Sequence, residues 1–378
     1  MSGTAEPTTS ESVDRFRQRA RAWIEANGHL APPDYGANVP AELNERSRAW
    51  QRAMHDAGFA AIHWPTAYGG QGLSIDHHRA WTKECQAAGL APILNMVGLV
   101  LAAEALLTYG TEAQKRELLP ATARGEILWC QLFSEPGSGS DLASLSTTAT
   151  LDGDTWVFAG EKVWTSTGTE ADWAILMARS EPDATRHAGI SFFVIDVRSP
   201  GVDIRPLRQM NGDAGFAQSF LDEARAPATA LLGQRGQGWA IAMDVLGRER
   251  SFGSNGARAL ERRLDQAMTE LPDGLDPVWR ARAAERWVEG QAYLALCARG
   301  DAAHPSARKL ALSQFRFDLA ELAADATGAD AMLWNDRAHE LSSAPGSWFG
   351  GGTTEVQRNI IGERVLGLAR EPRPEPAD

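Results

Sequence analysis

A chain of 378 residues with 43% hydrophobic composition can bury a large core and has the length for two or three structural regions. Its net charge of -12 argues against nucleic acid as a partner, because phosphate contacts dominate that affinity and call for a basic face. The three cysteines, Cys85, Cys130 and Cys297, are far apart and free of CxxC spacing, which argues against a disulfide framework and a thiolate metal site. His77-His78 is the only histidine pair, and adjacent helical residues do not face one ligand, so no metal is expected. The nearest approach to a membrane-spanning run, Ala91 to Leu107, is broken by Pro92, Asn95, Gly98 and Glu104 and reads as a buried helix. The polar start lacks a charged segment followed by an apolar one, so a soluble, cytoplasmic protein without a membrane partner is expected.

The first region reads as helical. Val13, Phe16, Ala20, Trp23 and Ile24 recur at spacings of three and four, one apolar stripe on an amphipathic helix that ends before Pro32-Pro33. Helical runs through Trp50 and Met54 lead to the loop His63-Trp-Pro-Thr-Ala-Tyr-Gly-Gly-Gln-Gly72, whose proline and glycines forbid a continued helix. Apolar helix resumes as far as about Gly125.

The pattern changes near Trp129. Thr148 to Leu151 and Thr155 to Trp164 alternate and are rich in β-branched and aromatic residues, which predicts a hairpin turning at Asp152-Gly153-Asp154. Further strands are predicted at Trp173–Ala178, Ile190–Ile195, Val202–Ile204 and Ser219–Leu221. After Gly236 the helical period returns, and Leu312, Phe315, Leu319, Leu322, Ala323 and Ala326 share one face. Thr354 with Gln357 fits a capping box, so a last helix carrying Val356, Ile360 and Ile361 is expected just after Gly350-Gly351-Gly352. The Pro-rich acidic tail from Glu371 is expected to be disordered. The expected regions are 1–127 helical, 128–235 β and 236–378 helical with that tail.

Two segments suit ligand chemistry. From Trp129 to Asp141 the sequence Trp-Cys-Gln-Leu-Phe-Ser-Glu-Pro-Gly-Ser-Gly-Ser-Asp leads a strand into a glycine-rich turn, where backbone amides can approach a ligand closely. An ordinary β-turn cluster fits those residues equally well. It is neither G-x-G-x-x-G nor followed by a helix, so a Rossmann site is disfavoured. In Lys162-Val-Trp-Thr-Ser-Thr-Gly168, Trp164 offers a flat face beside the hydroxyls of Thr165, Ser166 and Thr167, a combination suited to a planar heterocycle with a polar edge.

Together these stretches resemble the acyl-CoA dehydrogenase family over nearly the whole chain. The likeness is carried by the His63–Gly72 loop, Tyr109-Gly-Thr-Glu112 with Gln114-Lys115, the segment Ser134–Asp141, the strand Lys162–Ser166, Leu231-Leu-Gly233 with Gly236-x-Gly-Trp239, and Gly352-Thr-Thr-Glu-Val-Gln-Arg358. It implies an α+β protein with an N-terminal helical domain, a middle β-barrel or sandwich domain and a C-terminal four-helix bundle, with FAD between the latter two. By the same likeness, Gln131, Phe133, Ser134, Ser140, Trp164, Ser166, Thr353 and Glu355 bind the cofactor, and Ser140 and Arg250 meet the thioester substrate. The usual catalytic base position is occupied by Gly351, which cannot take a proton but offers its N–H to the thioester carbonyl. A subset of the family carries its base in an L-x-x-E-R helix, matched here by Leu246-Gly-Arg-Glu249-Arg250, so Glu249 becomes the expected base; on the residues alone it reads as a solvated helix charge.

The implied function is α,β-dehydrogenation of an acyl-CoA thioester, with Glu249 removing the α-proton and hydride passing to flavin N5. An electron-transfer flavoprotein is the implied electron acceptor and a homotetramer or heterotetramer the implied assembly. The family's R-x-x-F-G motif is missing from the stretch around Arg258 to Gly274, and Asp325–Asp330 replaces its Q-x-x-G-G, which argues against cofactor contacts from a neighbouring subunit. Alternatives are a dehydrogenase or oxidase acting on a carrier-protein-bound acyl group, and a non-catalytic subunit of a heteromeric enzyme.

Overall fold

The computed structural model describes residues 11–33, 39–90, 95–184, 186–252, 256–271, 276–299 and 304–370, without the side chains of 248–252 and 256–259. The expected disordered tail from Glu371 and the first part of the Ala91–Leu107 segment lie outside the described residues. By its internal contacts the chain forms two units: Met1–Arg208 with Ala214–Val245, and Gln209–Asp213 with Leu246–Asp378.

The first unit opens with α1 (Val13–Asn27), capped by the Ser12 hydroxyl and buried through Phe16, Ala20 and Ile24, as the stripe predicts. α2 (Asn44–Asp56) and α3 (Ile75–Ala87) complete a core in which Phe59 stacks on Trp81 at 4.7 Å between ring centres. Between them, the His63–Gly72 loop folds on itself: Gly72 N–H reaches the Trp64 carbonyl at 2.9 Å, and Gly69 and Gly72 take φ of 85° and 64°. The Tyr68 hydroxyl then reaches forward to Glu112 at 2.8 Å.

Val97–Ala102 form a π-helical turn that runs into α4 (Ala103–Tyr109). Its widened turn is fixed by Asn95, whose amide oxygen accepts from Gly98 N–H and whose amide nitrogen donates to the Trp129 carbonyl. α5 (Glu112–Ala123) starts on a capping box of Thr111 and Gln114. Gln114 also donates to the carbonyls of Thr229 and Leu231, so one side chain both starts the helix and ties it to the β region.

The strands are β1 (Trp129–Leu132), β2 (Thr148–Asp152), β3 (Thr155–Ser166), β4 (Trp173–Arg179), β5 (Ile190–Asp196), β6 (Val202–Leu207), β7 (Phe216–Pro227) and β8 (Leu231–Leu232). They form a sheet in the order β6-β7-β3-β2-β4-β5-β8, with β1 parallel to β4. The predicted hairpin is present, with Asp152 opposite Thr155. β6 and β7 run longer than their alternation suggested, because each residue of β6 pairs with β7 as far as Leu207 opposite Phe216. Inward side chains such as Trp156, Phe158, Leu176 and Phe193 fill the core.

α6 (Gly238–Phe252) crosses from the first unit into the second, which continues with α7 (Gly256–Thr269), α8 (Pro277–Ala298), α9 (Pro305–Ala326), α10 (Asp336–Ser343), α11 (Gly346–Phe349) and α12 (Thr354–Ile360). Leu264, Tyr293, Phe315, Leu319 and Ala323 form its core, which bears out the α9 stripe. Among the described residues no helix is long and apolar enough to cross a membrane.

A Cβ at Gly70 would run into the Trp64 carbonyl and side chain, so Gly70→Ala forces the loop open around buried Trp64. We expect Gly70→Ala to lose about 1–3 kcal/mol of stability. A thermal midpoint equal to that of the wild-type chain would refute this account of the loop.

Candidate active site

β1 delivers Gln131, half-buried, and then Phe133 and Ser134 just past its end. Phe133 is buried with its ring edge-on to Phe192. The chain then closes a tight turn, with Glu135 and Ser138 exchanging two backbone hydrogen bonds of 3.0 Å. Gly137 and Gly139 are open, since a Cβ there would meet nothing within 4 Å. Ser140 is exposed, next to Asp141, which pairs with Arg186 at 3.2 Å.

β3 brings Trp164 and Ser166 beside that segment, with Val163 N–H donating to the Ser134 carbonyl at 2.9 Å. Its alternation buries Trp156, Phe158 and Lys162 in turn. Continued, it would also bury Trp164. Instead the pairing with β7 moves from Lys162 opposite Ser219 to Thr165 opposite Ala217, so one extra residue sits on β3 as a bulge. Trp164 takes φ of 60° and is 57% exposed, its ring edge-on to Phe216 at 5.9 Å. Thr165 turns inward instead, its hydroxyl 3.1 Å from that of Ser219. A bulky residue in the left-handed region costs about 1–3 kcal/mol, which the surroundings must offset. Thr167 is left-handed as well, and its buried hydroxyl finds no partner among the described residues.

Beneath this surface lies an ion pair that residue-type reasoning did not single out. Lys162 Nζ stands 2.8 Å from Glu135 Oε1 and also donates to the Phe133 carbonyl at 3.1 Å. Glu135 accepts further from Ser146 N–H (2.7 Å), the Ser146 hydroxyl (2.8 Å) and Thr147 N–H (2.9 Å). Burial disfavours the Glu135 charge, but the Lys162 ammonium and these donors outweigh it and hold the carboxyl at about 2. Burial pushes Lys162 down to about 8 against the opposing pull of Glu135. The sequence did carry a signal: Lys162 shares the inward parity of Trp156 and Phe158, and an inward lysine demands an acid.

In the second unit, Gly351 and Gly352 take φ of 68° and 93° ahead of α12. Gly351 is exposed, and its N–H has no partner among the described residues. The cap falls one residue earlier than the sequence suggested. Thr353, not Thr354, is extended and accepts from Val356 N–H, which frees Gln357 to donate back to the Gly351 carbonyl at 2.8 Å. The Thr354 hydroxyl donates to Glu355, and with the helix-start amide this holds the Glu355 carboxyl below its usual range. Glu249 and Arg250 lie on α6, their side chains outside the described residues.

The family model for the acyl-CoA dehydrogenase middle domain matches residues 130–222, that for the N-terminal domain residues 10–126, and that for the C-terminal domain residues 277–366. The chain belongs to the acyl-CoA dehydrogenase family. Within these matches the chain holds β2 to β6, most of β1, the first part of β7, the turn after β1 and α12. It is 37% identical to the acyl-CoA dehydrogenase IpdE1 of Mycobacterium tuberculosis (strain ATCC 25618 / H37Rv), over 96% of this chain and 99% of that one. Among solved structures, a Tcur3481-Tcur3483 steroid ACAD is 26% identical with a TM-score of 0.79, covering 97% of this chain and 99% of that one. The ChsE4-ChsE5 complex from Mycobacterium tuberculosis is 26% identical with a TM-score of 0.74, covering 98% and 100%. The fold is the α+β fold expected, the family is one of flavin-dependent oxidoreductases, and the chain is an enzyme of the acyl-CoA dehydrogenase kind.

The pair sets an acid limit. Glu135 has a folded pKa of about 2 against 4.5 unperturbed, so between those values the unfolded chain binds the extra proton and stability falls as pH falls. In denaturant melts the advantage of wild type over Glu135→Gln should therefore shrink by roughly 3 kcal/mol from neutral pH to the acid limit. A constant gap would mean that Glu135 is not held by its partners in this way.

Proposed function

We propose that this chain catalyses FAD-dependent α,β-dehydrogenation of an acyl-CoA thioester to the 2,3-enoyl thioester. The observation that carries the reading is Trp164: a large aromatic held outward by a bulge, at φ of 60° and 57% exposed, is a strained surface kept for a flat ligand. The neighbouring groups fit a flavin: half-buried Ser134 and Ser166, the unpaired Thr167 hydroxyl and the open glycine turn suit a ring with a polar edge and an anionic tail.

In this reading Gln131, Phe133, Ser134, Ser140, Trp164 and Ser166 hold the cofactor, and the family likeness gives Thr353 and Glu355 the same role. Bound FAD supplies the hydride acceptor at N5. The unpaired N–H of Gly351 donates to the thioester carbonyl and stabilises enolate charge. Glu249 takes the α-proton, and Arg250 and Ser140 hold the thioester arm. Electrons leave to an electron-transfer flavoprotein.

The relatives, one a steroid ACAD and one a complex of two named chains, support a steroid-derived acyl group as the first substrate to test and a hetero-oligomer as the assembly. A second reading, a non-catalytic subunit of such a complex, is favoured by glycine at position 351.

Purified protein should bind about one FAD per chain, and Trp164→Ala should weaken retention by removing stacking area. A colourless protein that gains no flavin spectrum with added FAD would sink the proposal.

Glu249→Gln should keep its flavin and lose about 10²–10⁴ in the rate of flavin bleaching by acyl-CoA. The α-proton of bound thioester should also stop exchanging with deuterated solvent. Bleaching at the wild-type rate would remove Glu249 from the chemistry and put the base elsewhere, whereas a wild-type chain that binds FAD and does not bleach with acyl-CoA would favour the subunit reading.

A further inference from the structure

We infer that the buried Lys162–Glu135 pair is a positioning device for the cofactor surface: it staples the β1 exit to β3 just ahead of the bulge and so sets the pose of Trp164. The inference rests on the FAD reading above. Relative to apolar residues of similar volume, a buried ion pair adds little net stability, because desolvation of both charges offsets their attraction. Its directionality is another matter. Lys162 Nζ holds the Phe133 carbonyl and the Glu135 carboxylate together, and Val163 N–H holds the Ser134 carbonyl, so three consecutive residues of one segment are tied to two of the other. The next residue is Trp164, in a backbone conformation that persists only where its surroundings over-determine it.

On its far side, Glu135 is held by Ser146 and Thr147, ahead of β2, so the anchor is itself anchored on a third segment. An apolar side chain at 162 would fill the space. It could not hold the Phe133 carbonyl, nor fix its height against Ser134. Both proposed flavin-facing segments, 131–134 and 164–166, thus take their mutual spacing from one ion pair that faces neither solvent nor ligand.

The test is FAD titration of apoprotein, with thermal midpoints recorded alongside. The neutral double variant Lys162→Met/Glu135→Gln avoids leaving a lone buried charge. It should keep its apo midpoint within a few degrees while its Kd for FAD rises about tenfold or more and its bound-flavin spectrum broadens. Lys162→Arg, which keeps the charge and the donor, should recover most of the affinity. Lys162→Met alone leaves Glu135 buried without its cation, so its pKa rises and protonation relieves it. Its FAD affinity should therefore climb as pH drops.

Affinity of the double variant within about twofold of wild type, at an unchanged midpoint, overturns the inference. So does a joint loss of midpoint and affinity in which Lys162→Met shows no pH reversal, since that pattern belongs to a merely structural pair. Should the double variant not fold, Ser146→Ala removes one hydroxyl bond to Glu135 at an exposed residue and should still weaken FAD about threefold; no change there is equally fatal. A wild-type chain that takes up no FAD defeats the functional reading, and this inference with it, before any variant is compared.

Discussion

The attraction between Lys162 and Glu135, at 2.8 Å and out of reach of water, orders the rest of the candidate cofactor surface. Three segments far apart in sequence end on it: the exit of β1, the start of β2 and the middle of β3. A hydrophobic contact could bring those segments together but would leave their relative height free. A carboxylate accepting four hydrogen bonds from three residues permits one arrangement, since moving any strand by one residue would leave a buried charge short of partners.

That fixed arrangement makes the strain at Trp164 affordable. The bulge reverses the alternation of β3 over one residue, exchanging an inward Trp164 for an inward Thr165, and the apolar area so exposed opposes folding. The sheet retains this arrangement because Thr165 recovers a hydrogen bond with Ser219 and because the residues ahead of the bulge cannot slide. In the second unit the same logic recurs on a smaller scale. Glycines 351 and 352 supply a left-handed turn that other residues would resist, and Gln357 closes it by donating to the Gly351 carbonyl.

Much of the architecture could be read from residue spacing. The α1 and α9 stripes, the hairpin at Asp152 and the break at the His63–Gly72 loop each follow from a local rule, and each is present. The last helix was legible in position but not in its cap, because Thr353 and Thr354 are both good caps and only the backbone at Thr353, extended at ψ of 163°, decides between them. The outward turn of Trp164 was expected from its segment's fit to a heterocycle, but its cause was not legible, because period-2 alternation assigns it inward and a bulge leaves no residue signature when no glycine marks it. The pair of Glu135 with Lys162 was half legible: parity buries the lysine, but its partner lies 27 residues away in the turn after β1 and only tertiary structure makes the match.

The two groups of site residues are built on different physics. The strand residues 131–134 and 164–166 depend on register, strain and a buried charge, whereas Gly351 and the start of α12 depend on glycine backbone freedom and unpaired amides. Glu249 depends on neither, since it lies on α6. In the proposed enzyme, cofactor retention, carbonyl polarisation and proton removal therefore rest on separable structural causes. A glycine at 351 is consistent with that separation: a side chain there would have to adopt a left-handed backbone and would stand beside the exposed N–H that the carbonyl needs. With the proposed base on α6, the turn would act as a donor alone, and the proton chemistry would sit on a regular element whose spacing does not depend on the turn.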